Sequence, residues 1–182
     1  MERAETLSIS YKALKELTGV FAFSFLTALG ARIKIPLPFT PVPVTLQVLF
    51  VLLSGTILGR VRGPISQLLY LALGSLGLPF FAGGGGSLYL FGPTGGYLIG
   101  FVVASYIAGM SKGESFSWSK VIICQLAGLG TIYLLGIIHL SLYLGVTLSW
   151  AIKLGLLPFI GVDFSKLILS SLITGAIHGR RG

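Results

Sequence analysis

Apolar residues fall in long blocks along this chain, and polar residues gather in the gaps between them. The first block covers residues 17–31, carries Arg32 and Lys34 at its far end, and stops at Pro36, Pro38, Pro41 and Pro43. Proline at this density cannot continue a helix and favours an extended loop. A second block, 44–58, ends in Gly59-Arg60-Val61-Arg62-Gly63-Pro64. A third, 65–78, runs into Pro79-Phe80-Phe81-Ala82-Gly83-Gly84-Gly85-Gly86. The fourth is 95–108, followed by the polar stretch 111–120, and the fifth is 121–144. Residues 146–161 are apolar but interrupted by Lys153, Gly155 and Pro158, which predicts a re-entrant or interfacial segment, with a seventh crossing as the alternative. The last block, 164–177, ends at His178-Gly179-Arg180-Arg181. A membrane-crossing helix needs about 20 residues, fewer when its flanks sit among the headgroups. Blocks of about 14 or 15 must therefore tilt, recruit flanking residues or thin the bilayer. The pattern predicts an all-α integral membrane protein, a bundle of six transmembrane helices in one membrane domain over residues 1–182. Residues 1–16 are polar and of mixed charge, and read as a cytoplasmic N-terminal segment and candidate interfacial helix.

Composition agrees: 54% of residues are hydrophobic, 10% are charged, and the mean hydropathy is +0.93. A soluble domain of this length carries far more charge on its surface. The net charge of +8 would point to nucleic acid in a soluble chain. Here the bases lie mostly between apolar blocks, which points to topology instead. With six crossings, Arg3, Lys12, Lys15, Arg60, Arg62, Lys112, Lys120, Arg180 and Arg181 share one side with both termini. Arg32, Lys34 and Lys153 fall on the other, with Lys166 inside a block. The asymmetry predicts a cell-membrane protein with both termini cytoplasmic. A single cysteine, Cys124, excludes an internal disulfide and a four-thiolate metal site. No small-residue cleavage site follows a short apolar core, so no signal peptide is expected. No internal repeat suggests two inverted halves.

Few residues carry chemistry. Asp163 is the only aspartate, and it lies three positions before Lys166, on the same helical face. Ionisable groups in a membrane helix are costly and usually pair or face a cavity. The two form either a structural ion pair near the interface or a polar clamp for a small ligand. The glycine run from Gly83 to Gly86 and the stretch Gly92-Pro93-Thr94-Gly95-Gly96-Tyr97 let backbone approach a ligand or a helix closely. The free N–H groups after Thr94 suit an anion or a carbonyl. Neither stretch is a Walker A sequence or a dinucleotide fingerprint, and a flexible external turn is the plainer reading. Gln47, early in the second block, is either interhelical glue or a ligand contact. Small residues recur four apart at Ser24 and Ala28, Thr27 and Ala31, Gly55 and Gly59, and Gly92, Gly96 and Gly100. Such strips pack helices within a bundle or dock another subunit, the latter reading being strongest for the first block. His139 and His178 lack neighbours at metal-ligand spacing, no metal site is expected, and no nucleophile stands beside a base. An enzyme is therefore not expected.

Several stretches are familiar together: Ile35-Pro36-Leu37-Pro38, Pro41-Val42-Pro43-Val44-Thr45-Leu46-Gln47, Gly77-Leu78-Pro79-Phe80-Phe81-Ala82 with its glycines, Gly92-Pro93-Thr94-Gly95-Gly96-Tyr97-Leu98-Ile99-Gly100-Phe101, and Asp163 with Lys166. From about residue 20 to 178 the chain resembles BioY, the biotin-binding S subunit of energy-coupling-factor transporters. The resemblance implies a six-helix S-component fold and a biotin site near the extracellular face. It also implies a transmembrane coupling subunit and two cytoplasmic ATPase subunits as partners. Biotin is then the transported ligand, and no cofactor is implied. The family's docking strip on the first helix matches Ser24 and Ala28, with serine where a strict pattern has alanine. Gln47, Phe81, Gly84, Gly85, Thr94, Gly95, Tyr97, Asp163 and Lys166 are the implied substrate-binding residues. Ionised Asp163 can accept from ureido N–H groups. Lys166 can donate to the ureido carbonyl, pair with the tail carboxylate, or hold Asp163 ionised. An S subunit for another vitamin, or a membrane-embedded enzyme, are the alternatives.

Overall fold

The computed structural model describes residues 2–113 and 115–178. Arg180 and Arg181, expected on the cytoplasmic side, lie outside the described residues. Among the described residues, the regular elements are helices apart from one short hairpin. Helix α1 (Glu2–Arg32) leads into β1 (Lys34–Ile35), which pairs antiparallel with β2 (Val44–Thr45). Then follow α2 (Gln47–Leu58), α3 (Arg62–Ser75), a 3₁₀ turn (Ser87–Phe91), α4 (Gly95–Gly109), α5 (Trp118–Leu144), α6 (Leu148–Gly155) and α7 (Ile160–His178).

Among the described residues, three segments are long and apolar enough to cross a membrane: Leu14–Arg32, Trp118–Leu144 and Ile160–His178. Helices α2 and α4, of 12 and 15 residues, rise only about 18 Å and about 22 Å. Residues 2–16, expected as a cytoplasmic segment and candidate interfacial helix, belong to one helix with the first apolar block. They continue α1 without a break, because no glycine or proline interrupts them. The segment 146–161 contains the eight-residue α6, which rises about 12 Å, too little for a seventh crossing. Helix α7 starts two residues after Pro158, so Asp163 lies in its first turn, where a carboxylate is favoured by the helix dipole. Ser117 caps α5, its hydroxyl accepting from Lys120 N–H at 3.4 Å, and Gly145 ends the helix at φ 64°.

Helix α2 is the centre of the bundle, touching α1, α3, α4, α5 and α7. It is predominantly apolar and buried over most of its length, as a surrounded helix requires. The glycine strips are helix contacts within the chain. A Cβ at Gly55 would stand 2.3 Å from Ser105 O on α4, and one at Gly100 would stand 2.9 Å from Ile132 Cα on α5. The first-helix strip is likewise interior. Ser24 is 0% exposed and Ala28 7%, since this face of α1 packs on α2 and α3. The pair expected to dock a partner is thus not a surface of this structure. The outward side of α1 carries Phe21, Phe25 and Leu29 instead.

A polar cluster lies inside the apolar bundle. Gln67 Nε2 lies 3.3, 3.1 and 3.2 Å from the hydroxyls of Thr27, Ser54 and Ser66, three acceptors that share the two protons of its amide. Each hydroxyl donates its own proton to a backbone carbonyl, of Phe23, Val51 and Gly63 respectively. The hydroxyls can therefore only accept from Gln67, which fixes the amide orientation and leaves Gln67 Oε1 buried without a partner. Replacing Gln67 by Met removes the orphan acceptor and strands no donor. Its expected effect on thermal unfolding in detergent is within about 1 kcal/mol of neutral, on either side. A loss beyond about 3 kcal/mol would contradict this assignment of donors and acceptors.

The two ends of the bundle differ. At one end Arg62 pairs with Glu16, and Lys112 Nζ donates to Ile57 O at 2.6 Å. At the same end Trp118 packs on Gly175 and Phe116 stacks on His178. The hairpin, the glycine loop and α6 gather at the other end.

Candidate functional site

At the hairpin end the helices enclose a cavity of about 570 Å³, open solvent at its mouth included. Its walls are mainly apolar and aromatic, including Val48, Phe101, Ile132, Tyr133 and Phe159. The proline hairpin contributes Val42, Pro43 and Thr45, and the glycine loop contributes Ala82 and Tyr89.

The charged pair lies at the cavity wall. Asp163 and Lys166, one turn apart on α7, are both 5% exposed. Lys166 Nζ donates to Asp163 Oδ1. Tyr133, from α5, donates to Asp163 Oδ2 at 2.7 Å. Two charges removed from water are tolerable only when paired and hydrogen-bonded, as here. The pair is not saturated. A carboxylate has about four lone-pair sites and an ammonium three donors, so both retain capacity for a ligand.

Other polar groups are held in position by the chain. Gln47 Nε2 donates to Tyr70 Oη at 2.6 Å, and its Oε1 accepts from Thr45 Oγ1 at 3.0 Å. Tyr97 Oη donates to Gly155 O at 2.8 Å. Its ring lies against Gly136, where a Cβ would come within 2.3 Å. Thr94 closes the wall at the start of α4 without a side-chain cap bond.

Five of the residues expected to bind substrate therefore share one cavity: Gln47, Thr94, Tyr97, Asp163 and Lys166. The other four do not line it. Phe81 is fully buried behind the wall, stacked on Tyr89 with centroids 4.9 Å apart and edge-on to Tyr70 at 5.6 Å. Gly84 shapes the loop: its φ is 133°, a backbone conformation natural to glycine, and it exchanges backbone hydrogen bonds with Phe81 at 2.8 and 3.0 Å. Gly85 and Gly95 are close approaches of backbone to backbone, with a Cβ reaching 2.2 Å from Leu78 O and 1.8 Å from Leu90 O. Tyr133 and Tyr89 escaped the sequence reading. A tyrosine midway along a long, largely apolar block was the available signal for Tyr133, because a buried hydroxyl needs a partner.

His139 is structural, its Nε2 lying 2.9 Å from Gly92 O. Among the described residues, no group of three or more His, Cys, Asp or Glu side chains comes together. Tyr133→Phe is expected to weaken ligand binding about threefold to tenfold, because Asp163 then loses a donor that orients it. Isothermal titration of the variant checks this, and an unchanged affinity would remove Tyr133 from the site.

The likeness to known proteins is extensive. Residues 2–182 match the model of the BioY family. The biotin transporter BioY of Thermotoga maritima is 42% identical over 163 residues, covering 88% of this chain and 94% of that protein. The probable biotin transporter BioY of Pyrococcus horikoshii is 42% identical over 166 residues, covering 91% and 97%. Among solved structures, the S-component for biotin from an ECF-type ABC transporter superposes with a TM-score of 0.84 at 28% identity, covering 94% of both chains. Matched across nearly its whole length in sequence and in fold, the chain belongs to the BioY family.

Proposed function

We propose that this chain is the substrate-capturing membrane subunit of a biotin transporter, and that biotin binds in the cavity beneath the hairpin and the glycine loop. The observation that carries this reading is the buried, unsaturated group of Asp163, Lys166 and Tyr133 in an apolar and aromatic cavity, in a chain whose relatives are named biotin transporters. The chemistry fits. The ureido ring offers two N–H donors for the Asp163 carboxylate and one carbonyl for the Lys166 ammonium. Tyr97, Phe101 and Phe159 cover the apolar bicycle, while Gln47 and Thr94 supply further polar contacts.

The reading extends to topology and partners. Six helices, α1 to α5 and α7, cross the bilayer, and α6 lies at the interface. Both termini are cytoplasmic, because the end holding Arg60, Arg62, Lys112 and Lys120 is the basic one. The cavity then opens outward. The chain carries no nucleotide-binding motif, so uphill transport draws on a transmembrane coupling subunit and two cytoplasmic ATPases. Uptake of labelled biotin by cells lacking their own uptake system tests this. Accumulation should require both this chain and the ATPase module. Uphill accumulation with this chain alone would overturn the dependence on partners.

A further inference from the structure

Asp163 and Lys166 neutralise each other, so a ligand with an anionic end needs a cation elsewhere. A second, more open recess adjoins the cavity and shares Pro43, Ala82 and Tyr89 with it. Lys34 lines this recess, and among the described residues lining the two spaces Lys34 and Lys166 are the only cations. Lys34 belongs to β1, where the register sets it opposite Thr45 of the cavity wall. Its Nζ donates to the carbonyl of Ala82. The N–H of the same peptide unit, on Gly83, donates to Tyr89 Oη at 3.1 Å. That peptide is held from both sides, which fixes the ammonium where the two spaces meet. Ala82 uses one of its three donors, leaving two.

We propose that Lys34 binds the carboxylate of the ligand's tail. This rests on the biotin reading and sets the ligand's direction: ureido ring inward at Asp163 and Lys166, alkyl tail running outward past Tyr89, carboxylate on Lys34. A charge-assisted bond to carboxylate is stronger than the bond Lys34 makes to a neutral carbonyl. Lys34 is solvent-exposed, so water and salt screen the contact and limit its contribution to roughly tenfold in affinity. The same position makes Lys34 a selectivity residue, favouring the free acid over uncharged derivatives of the tail.

The test is equilibrium binding of biotin and of biotinol, whose tail ends in an alcohol, to the full chain in detergent. The wild type should prefer biotin by roughly tenfold. Lys34→Met should abolish that preference, weakening biotin about tenfold and biotinol less than about twofold. Retained biotinol binding shows that the variant is folded. Lys34→Arg should keep the preference. Equal losses for both ligands would mean that Lys34 only props the Ala82 loop, and would overturn the proposal. A preference for biotin that survives Lys34→Met would overturn it too. Failure of the wild type to bind either ligand would instead refute the biotin reading beneath it.

Discussion

Asp163→Asn should lower biotin affinity about a hundredfold. The change removes the charge that accepts from Tyr133 and Lys166 and that would accept the ureido donors. Losing two charge-assisted hydrogen bonds at about 1.5 kcal/mol each is about two decades in Kd. The same change strands the Lys166 ammonium, 5% exposed, without a counter-charge, which destabilises the fold by about 3–5 kcal/mol. A second variant separates the two effects. Asp163→Leu combined with Lys166→Met removes both charges, so unfolding temperature should recover toward wild type while biotin binding stays lost. Binding that recovers with stability would make the pair a structural ion pair and nothing more. An undiminished affinity in folded Asp163→Asn would contradict the site directly.

Gly96→Ala should damage both stability and binding by adding a single methyl. On α4, a Cβ at this position would stand 2.3 Å from His139 Cβ and 2.4 Å from Leu135 O, both on α5. A backbone carbonyl in a helix cannot rotate aside, so α4 and α5 must separate, at about 1–3 kcal/mol. Thr94, which precedes α4, and Tyr97, on it, lie within two residues of Gly96 and both line the cavity, so affinity should fall by roughly tenfold as well. Gly130→Ala on the same α5 is the control. Nothing lies within 4 Å of its added Cβ, and removing a helix glycine should stabilise by about 0.5–1 kcal/mol. Thermal unfolding of both variants in one detergent reads the difference. Equal behaviour would show that the α4–α5 contact is looser than described.

Much of this architecture is legible in the sequence because lipid makes hydropathy decisive. The ends of α5 follow from Ser117 and Gly145 around a long apolar block. The proline cluster between Pro36 and Pro43 marks the loop that became the hairpin. Asp163 and Lys166 stand out because charge within an apolar block is costly and rare. Other features depend on tertiary packing. The inward face of α1 could not be told from its outward face when both are apolar, so the Ser24 and Ala28 strip read as a possible surface although it is buried. In the glycine loop, Gly84 and Gly85 shape the backbone, while Ala82 and Tyr89 reach the cavity, a division that depends on how the loop folds back. Tyr133 meets Asp163 across 30 positions, and no spacing rule links two different helices.

Equilibrium titration of the purified chain in detergent, with riboflavin and thiamine as controls, decides whether this cavity binds biotin. Tight, saturable binding of biotin at one site per chain is expected, with no measurable binding of either control. Well-folded protein that fails to bind biotin, or binds all three alike, would contradict the biotin reading.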